Sequence, residues 1–214
     1  MSSEAGAPTG TMFLLSPARC GGERACQLAR SSSELGEQLR TRGAPIGDVF
    51  AWLSALYFRG KLSYGRRFGQ PAGGVPGALV MAPGLGLRAP ETLVSSDMLR
   101  AMGEIEVESR AFADPVVRDA VLVRARCPAM RVVLLGSIAT GKYLDSLLDV
   151  FGDRLLFPET FVGRGDMSRG GLLLRAARTG DPLVYRPILG ATLHGTRPPR
   201  LPRLSRRAAD GLSR

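Results

Sequence analysis

The chain is predicted to be α/β, with three layers and a mostly parallel four-stranded sheet flanked by helices. Short apolar runs of strand length near 12–15, 78–82, 131–135 and 154–157 alternate with stretches whose apolar residues recur at helical spacing. Each run leads into a loop rich in glycine, proline or hydroxyl residues. Repeated strand–loop–helix order is the pattern of β-α-β units. Their right-handed crossovers place the C-termini of all the strands on one edge of the sheet.

The elements follow in order. Residues 1–10 read as a disordered lead, 11–196 as a single domain and 197–214 as a basic Pro/Arg-rich tail. Thr11–Leu15 is the first strand. Ser16-Pro-Ala-Arg-Cys-Gly-Gly22 is a loop, and a polar helix over about 23–42 ends at Gly43-Ala-Pro45. Asp48 is placed to cap the next helix, whose core face is Val49, Trp52, Leu53 and Leu56. That helix stops at Gly60 or runs on with a kink to Phe68. Gly77–Ala82 is the second strand, closed by Pro83-Gly-Leu-Gly-Leu87. Ser95 or Ser96 caps a short helix to Met102. Asp114-Pro115 reads as an N-cap with proline at the first helical position, opening a helix to about Arg126. Arg131–Leu135 is the third strand. Leu144, Leu147, Leu148 and Phe151 then mark one helix face. Arg154–Phe157 is the fourth strand, and Met167–Arg178 a last helix stopped by Gly180.

Composition bounds the function. The 214 residues are 44% hydrophobic, which suits a globular chain. No apolar run approaches the roughly 20 residues of a membrane span, so no membrane partner is expected. The N-terminus has neither a basic n-region nor a long apolar h-region, so no signal peptide is expected. Cys20, Cys26 and Cys127 are odd in number and lack paired metal spacing, which points to reduced thiols and a cytoplasmic protein. His194 is the sole histidine, so no metal site is expected, and no cofactor is implied. The net charge is +10. Half of it lies in 197–214, where six arginines stand against Asp210. Such a tail adds sequence-independent affinity for nucleic acid, or is simply a solvated terminus. Only Lys61 and Lys142 are lysines.

The loop after the third strand is the most informative segment. Gly136-Ser-Ile-Ala-Thr-Gly141-Lys142-Tyr143 nearly spells a phosphate-binding loop, but that motif needs Ser or Thr where Tyr143 stands, to hold magnesium. No acidic residue ends a following strand to complete such a site. Three readings stand: an NTPase loop, which Tyr143 opposes; a packing turn; and a ligand loop of another kind.

Other loops on the same edge supply further candidates. Ser16, Arg19 and Cys20 follow the first strand, and a thiol near arginines and a helix start is a candidate nucleophile. Lys61 shares a helix face with Tyr57 and Tyr64, which reads either as a base-stacking surface or as an amphipathic face beside Arg59. Asp166 is a candidate cap and catalytic acid, and Gly170-Gly171 permits close backbone approach. Glu91 and Glu159 are the other candidate acids. In an open parallel sheet, loops after strands share an edge. Ser137, Lys142, Tyr143, Arg164, Asp166 and Arg169 are therefore expected to converge in one electropositive cleft, with Ser16, Arg19, Lys61 and Gly136 as further ligand-binding residues.

Read together, these loops resemble a known group. The carriers are the Ser/Cys/Gly loop, Leu56-Tyr-Phe-Arg-Gly-Lys61 with Tyr64 and Phe68, Ala82-Pro-Gly-Leu-Gly-Leu87, Ala89-Pro-Glu-Thr, Leu134-Leu-Gly-Ser with Lys142-Tyr143, and Pro158, Gly163 and Gly165. Over about 12–178 the chain resembles uncharacterised bacterial α/β domains similar to the uracil-DNA-glycosylase-like fold. Their relatives include peroxide-stress DNA-binding proteins and domains attached to 7-deazaguanine nucleobase modification. The resemblance implies that fold and a nucleobase, nucleotide or nucleic-acid ligand. The glycosylase water-activating Asp/Asn motif and late catalytic histidine are absent, so uracil excision is not implied. Two alternatives stand beside a nucleobase-directed protein: a non-enzymatic nucleic-acid-binding module, and a degenerate P-loop-like nucleotide binder.

Overall fold

A computed structural model describes residues 10–138, 143–191, 195–196, 198–199 and 201. Its centre is a six-stranded sheet. β1 (Thr11–Leu15), β3 (Ala78–Ala82), β6 (Arg131–Leu135) and β7 (Leu155–Pro158) run parallel, in the order β3-β1-β6-β7. These are the four strands expected from the apolar runs. Two short strands were missed: β4 (Gly86–Arg88) and β8 (Tyr185–Pro187) pair antiparallel at the two edges. Three-residue strands are too short to show an alternation. A separate ribbon joins β2 (Ala44–Pro45) to β5 (Leu93–Val94).

Helices cover both faces of the sheet. Phe13, Leu15, Val80, Val133 and Leu135 point to one side. There they meet α1 (Glu23–Arg30), α2 (Glu34–Thr41), α3 (Ile46–Phe68), α4 (Ser96–Gly103) and α7 (Asp166–Thr179). Met12, Leu14, Leu79, Met81, Val132 and Leu134 point to the other, against α5 (Arg110–Arg126) and α6 (Leu144–Phe151). With both faces covered, the central strands read as unbroken apolar runs rather than alternating ones.

Several helix boundaries differ from the sequence reading, each for a local reason. The expected helix over 23–42 is two helices, broken at Ser31, whose hydroxyl accepts from Ser33 N while Ser33 Oγ caps α2 by accepting from Gly36 N. The start of α5 lies upstream of Asp114. Ser109 Oγ caps it by accepting from Phe112 N, and Pro115 falls inside the helix. Asp48 is not a cap either, because α3 begins at Ile46 with Ile46 N and Gly47 N bound to Thr92 O and Pro90 O. Ser95 does cap α4, accepting from Met98 N at 3.2 Å. Gly180 ends α7 in the left-handed conformation.

Of the two expectations for α3, a stop at Gly60 or a kinked run to Phe68, the second holds, and the kink is at Ala55. Ala55 has φ 44° and ψ −117°, a conformation that side-chain-bearing residues rarely adopt. Ala55→Gly is expected to raise the midpoint of urea unfolding by the equivalent of about 1 kcal/mol, because relief of strain outweighs the added freedom of the unfolded chain. An unchanged or lowered midpoint would show that the Ala55 backbone is not strained.

Gly60 serves a different purpose. A Cβ on it would lie 2.7 Å from Gly170 O, and one on Gly170 would lie 2.8 Å from Leu56 O and Tyr57 Cα. Paired glycines thus let α3 and α7 cross in backbone contact. This sets Tyr57 of one helix beside Arg169 of the other.

Candidate functional site

The chain reverses its winding direction between β1 and β6. From β1 it passes through α1, α2 and α3 on one face of the sheet to β3. From the β3–β4 edge it crosses by α5 on the opposite face to β6, and continues by α6 to β7. The loops leaving β1 and β6 therefore diverge, and it is outside the strand ends at such a point that open α/β sheets hold their ligands. Ser16 follows β1 and Gly136 follows β6, with Ser16 N donating to Leu135 O at 3.2 Å.

A buried polar cluster lines this place. Lys61 is 1% exposed, and its Nζ donates to Ser16 O at 2.7 Å and to Ser16 Oγ at 2.9 Å. The amine also lies over the Tyr57 and Phe58 rings, 4.5 and 4.8 Å from their centroids. Burial among these groups lowers the Lys61 pKa to about 7, against the opposing attraction of Asp166. The Tyr143 hydroxyl hydrogen-bonds the Ser16 side chain, and burial pushes its own pKa up to about 12. The Tyr143 ring stands beside Phe112, with centroids 5.8 Å apart.

Gly136 is needed for this meeting. A Cβ there would sit 2.7 Å from the Tyr143 hydroxyl and 2.9 Å from Ser16 Cβ. From α7, Arg169 is buried and donates from Nε and Nη2 to Phe161 O at 3.3 and 3.2 Å, its guanidinium 5.4 Å from the Phe161 ring centroid. Its Nη1 is 3.7 Å from Asp166 Oδ1. Beside it, burial raises the pKa of the Tyr57 hydroxyl, and the Arg169 guanidinium next to it acts in the opposite direction.

The structure thus brings together Ser16, Lys61, Gly136, Tyr143 and Arg169, with Asp166 at the rim. The expected cleft is corrected in several respects. Arg164 is turned away to bind Thr160 O, Ser168 Oγ and Pro199 O. Arg19 is exposed. Asp166 is not a cap: Gly165 holds that position, and Asp166 is the first residue of α7, its side chain 69% exposed. Lys61, Tyr57 and Tyr64 form neither a base-stacking surface nor an amphipathic exterior, since all are buried. Tyr64 is committed instead to Tyr185, hydroxyl to hydroxyl at 2.5 Å, and accepts from Leu183 N. The Cys20 thiol is buried, donates to Ala18 O and has its pKa raised to about 12, the reverse of an activated thiolate. Ser137 is half-buried next to Gly136. Lys142 and Gly141 lie outside the described residues, as do 1–9 and 202–214. Glu91 and Glu159 are paired with Arg66 and Arg186, at 3.1 and 2.8 Å.

The Tyr57 hydroxyl and the Lys61–Ser16 bond were not foreseen. The partners of that bond are 45 residues apart. One sequence signal pointed there: Lys61 is one of two lysines among 29 basic residues. A buried amine can shed its proton, whereas a guanidinium cannot.

Two surface grooves lie elsewhere. One, of about 1010 Å³, runs between α5 and α6 past Val121 and Arg124; the other, of about 850 Å³, lies between the start of α7 and Pro198, Pro199 and Leu201. Neither is lined by Ser16, Lys61 or Tyr143. Among the described residues no cluster of His, Cys, Asp and Glu could hold a metal ion, and no helix is long and apolar enough to cross a membrane. Comparison with known proteins found no matching family model, no similar curated protein and no similar solved structure.

Proposed function

We propose that this protein binds a nucleobase or nucleotide in the crevice between the carboxyl ends of β1 and β6, and that its biological role is in nucleobase modification. The observation that carries the reading is the place where winding reverses, occupied by a buried amine, a serine and two tyrosines. Open α/β sheets hold their ligands outside the strand ends at such a point. The chemistry of the lining suits an electron-rich heterocycle. Arg169 supplies a cation, Lys61 an amine donor, Tyr57 and Tyr143 supply hydroxyls and ring surface, and Gly136 leaves room for close backbone approach. The buried Tyr57 hydroxyl, beside the Arg169 guanidinium, is a further hydrogen-bonding group for a ligand. The resemblance to the uracil-DNA-glycosylase-like group points to the same class of ligand.

The test is a thermal-shift screen of the intact chain against nucleobases, nucleosides, nucleotides and short DNA. A ligand present at about 100 times its Kd stabilises by about 2.7 kcal/mol, which is easily read as a higher Tm. One of the first three classes is expected to raise Tm, and Tyr57→Phe to weaken the response. Stabilisation by DNA alone, unchanged in Tyr57→Phe, would favour a nucleic-acid-binding surface elsewhere. No response to any class at millimolar concentration would remove the proposal.

A further inference from the structure

We propose that Ser16 is a nucleophile and Lys61 its general base, an arrangement for acyl transfer from a small ester or amide. This goes beyond ligand binding and stands whichever heterocycle the crevice accepts, because its starting point is the geometry of the Lys61–Ser16 pair. Lys61 Nζ lies 2.9 Å from Ser16 Oγ, within direct proton-transfer reach. Nζ also donates to Ser16 O, which anchors the amine on the residue it would activate. In its neutral form the amine keeps that donated bond and turns its lone pair to the Ser16 hydroxyl proton. A lysine–serine pair of this kind is a known alternative to histidine–serine.

The surroundings favour the neutral amine. From α3 it faces the Tyr57 and Phe58 rings and from the end of β1 Ser16, behind which stands Tyr143 at the start of α6; from α7 the charge acting on it is that of the largely exposed Asp166, itself paired with Arg169. Burial outweighs the attraction of Asp166 and leaves Lys61 titrating near neutrality. Tyr143 remains a protonated phenol and orients Ser16 Oγ by its hydrogen bond. The depths are also in order: the base is 1% exposed and the nucleophile 8%.

The reaction balances as follows. Ser16 Oγ bonds to the carbonyl carbon while its proton passes to Lys61 Nζ. The substrate C–O or C–N bond then breaks, and the Lys61 ammonium returns the proton to the departing alcohol or amine. Water then attacks the acyl-Ser16 carbonyl as Lys61 takes its proton; the bond from the acyl carbon to Oγ breaks, Lys61 returns the proton to Ser16 Oγ, and the carboxylic acid leaves.

Diisopropyl fluorophosphate tests the pair without knowledge of the substrate, since Ser16 Oγ would displace fluoride from phosphorus as its proton moves to Lys61. Peptide mass mapping is expected to place the adduct on Ser16, and to find none there in Ser16→Ala. The wild-type labelling rate should rise with pH through a midpoint near 7, as Lys61 becomes neutral. Lys61→Met should slow labelling at least about 100-fold, the lower range for a lost general base. No adduct on Ser16, or a rate on Ser16 independent of pH between about 6 and 8, would overturn the assignment. The wild-type pH profile decides the matter even if the Lys61 variant folds poorly.

Discussion

Gly170→Ala is expected to destabilise the protein by about 3 kcal/mol, at the upper end of what overpacking costs. The new methyl carbon would stand 2.8 Å from Leu56 O and Tyr57 Cα and 2.9 Å from Leu56 C, all backbone atoms that no rotamer change can move. The crossing of α3 and α7 would have to widen, drawing Tyr57 away from Arg169. The neighbouring residue is the control. A Cβ on Gly171 would meet only Leu201 Cδ1 at 3.7 Å, an ordinary contact. Gly171→Ala should therefore be neutral, or stabilising by up to about 1 kcal/mol through better helix propensity. Urea denaturation of both variants provides the comparison. Equal stability of the two would mean that the helices do not cross in backbone contact.

The second large effect is a dependence of stability on pH that belongs to Lys61. Its folded pKa, about 7, lies below the ordinary lysine value of 10.5. Between those values the unfolded chain binds a proton that the folded chain does not, so stability rises with pH. The contribution is complete above the unfolded value and is lost as pH falls through the folded one, a change on the order of a few kcal/mol. Lys61→Met removes this titration while keeping an unbranched chain of similar length. Between about pH 7 and about pH 8.5, wild type should gain on the order of 1 kcal/mol relative to the variant. The cysteines and tyrosines of the unfolded state are common to both proteins, so their ionisation cancels in the difference. The slope is the readout, because the variant also strands the Ser16 carbonyl and hydroxyl, which shifts its absolute stability by a constant. Parallel curves for the two proteins would show that Lys61 is charged in the folded state throughout this range.

These effects arise where a local sequence pattern meets a partner distant in the chain. Sequence alone determined the parallel core: four apolar runs, all buried, each followed by a turn and a helical period. It also placed Ser16 and Gly136 on a common strand edge, because the right-handed crossover rule acts on element order alone. Ser95 as a cap and Gly180 as a stop were equally legible, since each acts on residues a few positions away.

What the tertiary structure decided has a different physical origin. The edge strands Gly86–Arg88 and Tyr185–Pro187 are set by pairing with Ala78–Ala82 and Leu155–Pro158, not by a period of their own. Tyr57, Lys61 and Tyr64 read as one helix face, yet whether that face met solvent or core depended on α7. Gly60 and Gly170 let the two helices approach closely enough to cover it. Arg164 and Arg169, five residues apart in one loop-to-helix segment, diverge because the turn of the helix carries one guanidinium to Phe161 O and the other to Pro199 O. A lysine at position 61 is by itself a charged residue on a helix. It becomes a near-neutral amine on a serine hydroxyl only when folding removes water from around it and brings in a strand end from 45 residues away.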